Sequence, residues 1–146
     1  MINMPKFAET LSELLFDKNM DAKTFAAEIG VKGSTVTRYL RGERMPTVES
    51  LVAIADYFGC TADYLLGREE NSSSKTFKTC PPFSEQIVNF ADRCGLTCFG
   101  LSQKANIHQS RVYAWKSGKR VPSLDNIIKL AEFFDCSVDF VIGRES

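Results

Sequence analysis

Two segments of this chain, residues 42–69 and 118–145, are versions of one sequence, related without a gap by a constant offset of 76 positions. They read GERMPTVESLVAIADYFGCTADYLLGRE and GKRVPSLDNIIKLAEFFDCSVDFVIGRE, and ten of their 28 positions are identical. The alignment extends upstream to Phe7 and Phe83, which gives each copy about 62 residues. A unit of that size can bury a small core and exceeds the usual period of solenoid repeats. The duplication therefore predicts two small globular domains of one fold.

A polar segment between the copies predicts a linker. Residues 67–82 read GREENSSSKTFKTCPP, with three consecutive serines and a final Pro-Pro. We therefore expect a first domain at residues 1–68, a linker at 69–81 and a second domain at 82–146. As a flexible chain, the 16 residues from 67 to 82 would span roughly 20–24 Å on average and would not dictate the orientation of the domains.

The composition indicates a cytoplasmic protein. Hydrophobic residues make up 44% and charged residues 25% of the chain. No apolar run approaches the roughly 18 residues of a membrane span, and no basic-then-apolar leader is present, so neither a membrane nor a secreted protein is expected. The five cysteines are an odd number, and Cys60 and Cys136 occupy equivalent apolar surroundings. This pattern favours reduced core thiols over a disulfide framework.

The net charge of zero argues mildly against a nucleic-acid partner, but it conceals a local pattern. Residues 1–72 carry a net charge of −3 and residues 73–146 a net charge of +3. Within the copies, residues 28–44 carry +2 and the equivalent residues 104–120 carry +5. Positive charge is therefore concentrated on one segment of each copy, as in proteins that bind a polyanion.

Helical spacing and turn signals, without sustained alternation, predict an all-α fold with five short helices in each copy. The spacing of Phe7, Leu11, Leu14 and Leu15 indicates the first helix. Later helices are expected to begin at Asp21, Gly33, Thr47 and Thr61 in the first copy and, in the second, at Pro82, Ser123 and Ser137 among others. In the first copy they are expected to end at Gly30, Gly42, Gly59 and Gly67.

The spacing of Ala26, Gly30 and Val36 predicts a helix-turn-helix arrangement. A small side chain at Ala26 allows two helices to cross closely, Gly30 can adopt the left-handed conformation of a tight turn, and Val36 would hold the third helix to the core. The second copy has Ser102, Asn106 and Val112 at the equivalent positions. Asn tolerates the left-handed conformation well, so the same turn is expected there.

Residues 22–42, followed by Arg44, Pro46 and the ending Asp63-Tyr64-Leu65-Leu66, resemble the phage repressor and Cro (XRE-type) helix-turn-helix family. The resemblance covers both copies almost end to end and implies two tandem five-helix lambda-repressor-like domains. In that family the third helix lies in the DNA major groove, and residues at its N-terminal end contact base edges. The resemblance assigns base contacts to Lys32, Gly33, Ser34, Thr35 and Arg38 in the first copy and to His108, Gln109, Ser110, Arg111 and Tyr113 in the second.

The chemistry of these residues supports the same assignment. Arg38 and Arg111 can donate two hydrogen bonds to guanine, Gln109 can pair with adenine, and the serines can bond to bases or phosphates. Phosphate contacts are expected from the basic side chains at the end of the third helix and after it, namely Arg41, Arg44, Lys116, Lys119 and Arg120.

Three departures from the family pattern weaken the first copy or both. The family usually has Gln at the start of the second helix, whereas this chain has Ala22 in one copy and Cys98 in the other. The phosphate contact of that Gln is therefore not expected in either copy. Gly33 has no side chain where the family places a base contact, and the first copy is acidic. We expect the first domain to be the weaker DNA-binding domain.

The remaining candidates favour structural roles. Cys94 and Cys98, four residues apart, together with the single histidine His108, do not supply a ligand set for zinc. Tyr39 and Trp115 occupy equivalent positions and are expected in the core rather than as platforms for bases. Asp63 and Asp139 are interpreted as acids favoured at helix N-termini. No catalytic constellation emerges, so neither an enzyme nor a cofactor is expected.

These observations predict a sequence-specific regulator of bacterial or phage origin whose partner is double-stranded DNA, with repression as the expected effect. Two linked domains would act as a pseudo-dimer on half-sites roughly 34 Å apart. The alternative is a protein-interaction module, such as an antitoxin or adaptor, that kept the scaffold, and the neutral net charge favours it. Homodimer formation and a partner protein stay open.

Overall fold

A computed structural model describes residues 4–69 and 77–145 of the chain. It contains two compact units, with the division between residues 75 and 76. That division lies inside the predicted linker, of which residues 70–76 fall outside the described part of the chain. Throughout the described ranges the secondary structure is helical, with ten helices and no strand. The all-α prediction is confirmed, whereas the exact domain boundaries at 68 and 82 stay a prediction.

Each unit contains five helices in the same order. The first unit has α1 (Met4–Asp17), α2 (Ala22–Ile29), α3 (Gly33–Leu40), α4 (Val48–Phe58) and α5 (Ala62–Leu65). The second has α6 (Phe83–Arg93), α7 (Cys98–Ala105), α8 (Gln109–Lys116), α9 (Leu124–Phe133) and α10 (Val138–Ile142). Four of the five helix starts are related by the same offset of 76 as the sequence.

Side-chain caps determine where most of these helices begin. Asp21, Thr47 and Thr61 accept a hydrogen bond from the backbone amide three residues later. Ser123 and Ser137 do the same in the second unit, whereas Pro82 precedes α6 without a side-chain cap. With Gly33, which begins α3, all seven predicted starts are confirmed, and each side-chain cap is worth about 1 kcal/mol.

The turn between the second and third helices has the predicted geometry in both units. Gly30 has φ 74° and ψ 32°, and Asn106 has φ 55° and ψ 44°, both in the left-handed region. Ala26 and Ser102 are each only 2% exposed, so the two helices pack closely at that point. The Ser102 hydroxyl donates to the Phe99 carbonyl at 2.6 Å, which satisfies the buried polar group.

Aromatic side chains hold the third helix of each unit to its core. Tyr39 packs edge to face on Phe7 at 5.7 Å between ring centroids, and Trp115 on Phe83 at 6.1 Å. Both Tyr39 and Trp115 are 2% exposed, so their predicted core position is confirmed. The outer face of each third helix is thereby directed away from the core.

An ion pair closes the end of each unit, and the sequence interpretation missed it. Asp63 binds Arg68, and Asp139 binds Arg144. The aspartates do lie in the first turn of α5 and α10, as expected of helix N-terminal acids, but that role is incomplete because each carboxylate pairs with an arginine beyond its helix. Next to each pair, the capping hydroxyl of Thr61 donates to Glu69 and that of Ser137 donates to Glu145.

The two ion pairs differ in solvent exposure, which predicts different costs on removal. The Asp139 and Arg144 side chains are both 0% exposed, whereas the Arg68 side chain is 26% exposed. Replacing Asp139→Asn should destabilise the second unit by about 3–5 kcal/mol, because a buried guanidinium loses its carboxylate. Asp63→Asn should cost less, because water screens Arg68.

The single tryptophan, Trp115, lies in the second unit and serves as its reporter. Urea unfolding followed by Trp115 fluorescence should show a lowered midpoint for Asp139→Asn and an unchanged one for Asp63→Asn. Circular dichroism recorded in the same urea titrations follows the loss of helix in both units. Equal losses of unfolding free energy in the two variants would contradict the exposure argument.

Candidate nucleic-acid interface

The residues that the sequence assigned to base contacts lie just before the start of each third helix and along its outer face. In the first unit Lys32, Ser34 and Arg38 are exposed, and Gly33 and Thr35 are partly exposed. In the second unit all five assigned residues are exposed: His108, Gln109, Ser110, Arg111 and Tyr113. Their place on an outer helix face is what a recognition helix requires, whereas their contacts with bases stay a prediction.

The start of α8 is organised by His108, a role that the sequence did not indicate. His108 is the N-cap, and its Nδ1 accepts from the Ser110 amide at 3.2 Å. The Ser110 hydroxyl lies 2.8 Å from the same nitrogen and can donate to it. Because Nδ1 is the acceptor, the neutral ring carries its proton on Nε2 and can donate outward. His108 therefore both fixes the first turn of α8 and offers a donor at its tip.

The start of α3 is less organised than the start of α8. Lys32 is the N-cap there and makes no side-chain capping bond. Gly33 is the first residue of the helix, and a Cβ atom added to it would meet nothing within 4 Å. The helix α3 thus has an open space at the position where α8 carries Gln109. This difference supports the expectation that the first unit is the weaker reader of bases.

Basic side chains cluster at the end of each third helix and in the loop that follows. In the first unit Arg41 is the C-cap of α3 and Arg44 follows in the loop, both exposed. In the second unit the exposed basic residues are Lys116, Lys119 and Arg120. Glu43 occupies the first-unit position equivalent to Lys119, which accounts for part of the charge difference. Exposed cations beside a recognition helix are suited to phosphate neutralisation.

The second helix of each unit begins with a different charge. The cap of α2 is Asp21, and hydrogen bonds from Thr24, first from its side chain and then from its amide, hold the pKa of Asp21 below its ordinary value. Asp21 is therefore an exposed carboxylate at neutral pH. The cap of α7 is the neutral Thr97. Because a helix N-terminus attracts anions, the Asp21 carboxylate should disfavour a phosphate at the start of α2, whereas the neutral Thr97 adds no such charge at the start of α7.

Neither second helix begins with a side chain that replaces the expected Gln. Ala22 has no polar group, and Cys98 is buried.

Cys94 is the C-cap of α6, and burial raises the pKa of its thiol. In the described ranges no group of three or more His, Cys, Asp or Glu is placed to hold a metal ion. No helix within them is both long and apolar enough to cross a membrane.

Comparison with known proteins identifies the family. The model of the helix-turn-helix family HTH_3 matches residues 13–65 and 100–141, more than half of the chain. The chain therefore belongs to this XRE-type family of DNA-binding transcriptional regulators, which are not enzymes. The two matches include both turns and both third helices, α3 and α8. A search of solved structures found no match.

Three relatives illustrate the similarity. The HTH-type transcriptional regulator AnsR of Bacillus subtilis is 38% identical over 45% of this chain and 57% of its own length. An uncharacterized HTH-type transcriptional regulator of Rickettsia prowazekii is 32% identical over 51% of this chain and 88% of its own length. The HTH-type transcriptional activator BcrR of Enterococcus faecalis is 32% identical over 44% of this chain and 32% of its own length.

The contrast between Asp21 and Thr97 gives a prediction about phosphate binding. Asp21→Asn keeps a capping side chain and removes the charge, so it should raise the affinity for mixed-sequence DNA by about two- to fivefold at low salt, as a favourable charge at a helix end contributes 0.3–1 kcal/mol. Thr97→Asp is the matched control, with the cap kept and the charge added, and should lower it similarly. Fluorescence anisotropy against salt measures both. An effect that persists at high salt would contradict an electrostatic origin.

Proposed function

We propose that this helix-turn-helix regulator binds double-stranded DNA sequence-specifically through α3 and α8, and that its two linked domains act together as a pseudo-dimer. The observation that carries the proposal is the duplication of an exposed recognition helix followed by basic residues in both units. A regulator of transcription acts where the DNA is, which makes the bacterial cytoplasm the proposed location.

The base-facing residues differ between the units at almost every position, so the proposed DNA site is asymmetric. Gly33 and Gln109 are equivalent, and so are Thr35 and Arg111. A guanine contact through Arg111 and an adenine contact through Gln109 are available to the second unit. In the first unit the guanidinium that could contact guanine is Arg38, one turn further along α3. The two half-sites should accordingly have different sequences.

The effect on transcription is proposed to be repression. The resemblance to phage repressors favours it, because a protein bound across a promoter excludes polymerase by occupancy alone. One relative is named an activator, so the family itself allows either sign. A reporter gene downstream of the selected site, with and without this protein, distinguishes the two, because repression requires lower expression when the protein is present.

A second function, binding of a partner protein, is supported by the first unit. That unit carries a net charge of −3 over residues 1–72, its recognition helix begins with Gly33, and the α2 cap is the ionised Asp21. Phe16 at the end of α1 is 83% exposed. An adaptor would lose no DNA affinity as salt rises, because it has none to lose, whereas a phosphate-binding protein loses affinity steeply. The salt dependence of DNA binding therefore separates the two functions.

Base contacts and phosphate contacts should be distinguishable by substitution. Arg111→Ala should relax the preference at one position of the site at a cost of about 1–3 kcal/mol, because a bidentate pair with guanine is lost. Lys119→Ala should weaken binding evenly across sequences and reduce the salt slope by about one. Selection from a random DNA library with each variant measures both effects. An Arg111→Ala protein with unchanged sequence preference would show that α8 is not seated in the groove as proposed.

Cooperation between the domains should appear as a gain in affinity on a composite site. A tethered second domain binds at an effective concentration in the millimolar range, so two half-sites should bind the intact chain about 10²–10⁴ times more tightly than either alone. The measurement compares the selected site with versions in which one half-site is scrambled. If the composite site binds no better than its stronger half, the pseudo-dimer proposal is wrong.

A further inference from the structure

Residues 77–81, which the sequence assigned to the linker, lie against the second unit as a strap. The Phe77 ring lies over the Arg144 guanidinium, 3.9 Å from ring centroid to Cζ. The Lys78 amide donates to the Arg144 carbonyl at 2.9 Å. Both contacts involve the arginine that also pairs with Asp139, so the strap is fixed to the ion pair that closes the unit.

The other end of the strap is fixed at Gly143. A Cβ atom at Gly143 would lie 2.8 Å from Pro81 Cδ and 2.8 Å from Gln86 Oε1, closer than side-chain carbons approach such atoms. Gly143 also has φ 87°, which favours glycine. Pro81 can therefore approach this point only because residue 143 lacks a side chain. Pro82 follows directly as the N-cap of α6.

The first unit ends in a comparable fixed contact. Glu69, its last described residue, accepts a hydrogen bond from the capping hydroxyl of Thr61. The covalent connection between fixed points consequently runs from Glu69 to Phe77, which is eight residue steps. Were the strap released as far as Pro81, which stays packed at Gly143, the connection would have twelve steps. Fully extended, these reach at most roughly 26–29 Å and 40–43 Å respectively.

We propose that the Phe77 strap belongs to the second domain and limits the separation of the half-sites that one chain can occupy, which makes Phe77 a determinant of DNA-site spacing. This inference rests on the proposed function, because spacing has meaning only if both domains bind one site. Release of the strap up to Pro81 lengthens the maximum reach by roughly 13–14 Å, which corresponds to about four base pairs of B-DNA at roughly 3.4 Å each.

The test uses the full-length chain and a series of duplexes in which the two selected half-sites are moved apart one base pair at a time. Phe77→Ala removes the ring from Arg144, and Phe77→Tyr is the control that keeps it. At the shortest separations Phe77→Ala should bind about twofold more weakly, since effective concentration falls with the −3/2 power of tether length. At long separations it should bind more tightly, and its limit should lie about four base pairs further out. Both proteins meet the same helical phase at each separation, so the affinity ratio isolates the tether.

Hydrogen exchange at the Lys78 amide reports the strap independently of DNA. This amide should be protected in the natural chain and in Phe77→Tyr, and should exchange faster in Phe77→Ala. An unprotected Lys78 amide in the natural chain would overturn the proposal, because the strap would not be formed. Faster exchange in Phe77→Ala with an unchanged spacing limit would overturn it as well, because the strap would not control the reach.

Two further binding measurements distinguish a failure of this inference from a failure of the proposed function. Binding of Phe77→Ala to the second half-site alone should match that of the natural chain, which shows that the domain is intact, and a loss there would overturn the placement of Phe77 outside the DNA-binding part. If the natural chain gains nothing from the composite site while its Lys78 amide is protected, the pseudo-dimer fails and the spacing role falls with it, whereas the strap itself stands.

Discussion

The close crossing of the second and third helices is the constraint on which each unit depends. Ala26 and Ser102 bring the helices together, and the left-handed residues Gly30 and Asn106 turn the chain between them. The crossing buries Tyr39 or Trp115 on the inner face of the third helix. Since each third helix buries one face, the opposite face lies outside, and the residues at the N-terminal end are exposed or partly exposed in both units. A scaffold that fixes the inner face so firmly leaves the outer side chains free to vary.

The exposed side chains of the two units differ at several equivalent positions. At equivalent positions the first has Gly33, Glu43 and Asp21, and the second has Gln109, Lys119 and Thr97. Each difference adds hydrogen-bonding capacity or positive charge to the second unit, or removes negative charge from it. The neutral total charge is thus the sum of the opposite net charges of two units that share one fold. Net charge for the whole chain is a poor guide to its partners when a duplication has diverged in this way.

Apart from the His108 cap, most features determined by neighbouring residues could be predicted from the sequence, whereas specific contacts between distant residues could not. The caps at Asp21 and Thr47 and the turn at Asn106 depend on residues within one helical turn. The contact of Phe77 with Arg144 joins residues that are far apart in the sequence, and no local sequence pattern predicts it. The ion pair of Asp139 with Arg144 had a signal, since both residues are identical in the two copies, but pairing was not inferred from it. Base and phosphate contacts stay predictions, because they depend on a partner that the sequence does not contain.

Separate encoding of the two recognition helices has a consequence for how such a regulator can change. In a symmetric dimer one codon specifies both halves of the surface, so every substitution alters two half-sites together and the operator must change at two places to match. Here α3 and α8 are encoded independently. On the proposed function, a substitution at Arg111 requires one compensating base change in the DNA, and the other domain keeps the protein on its site meanwhile. If both domains bind one site as proposed, duplication halves the number of base changes that a new operator requires.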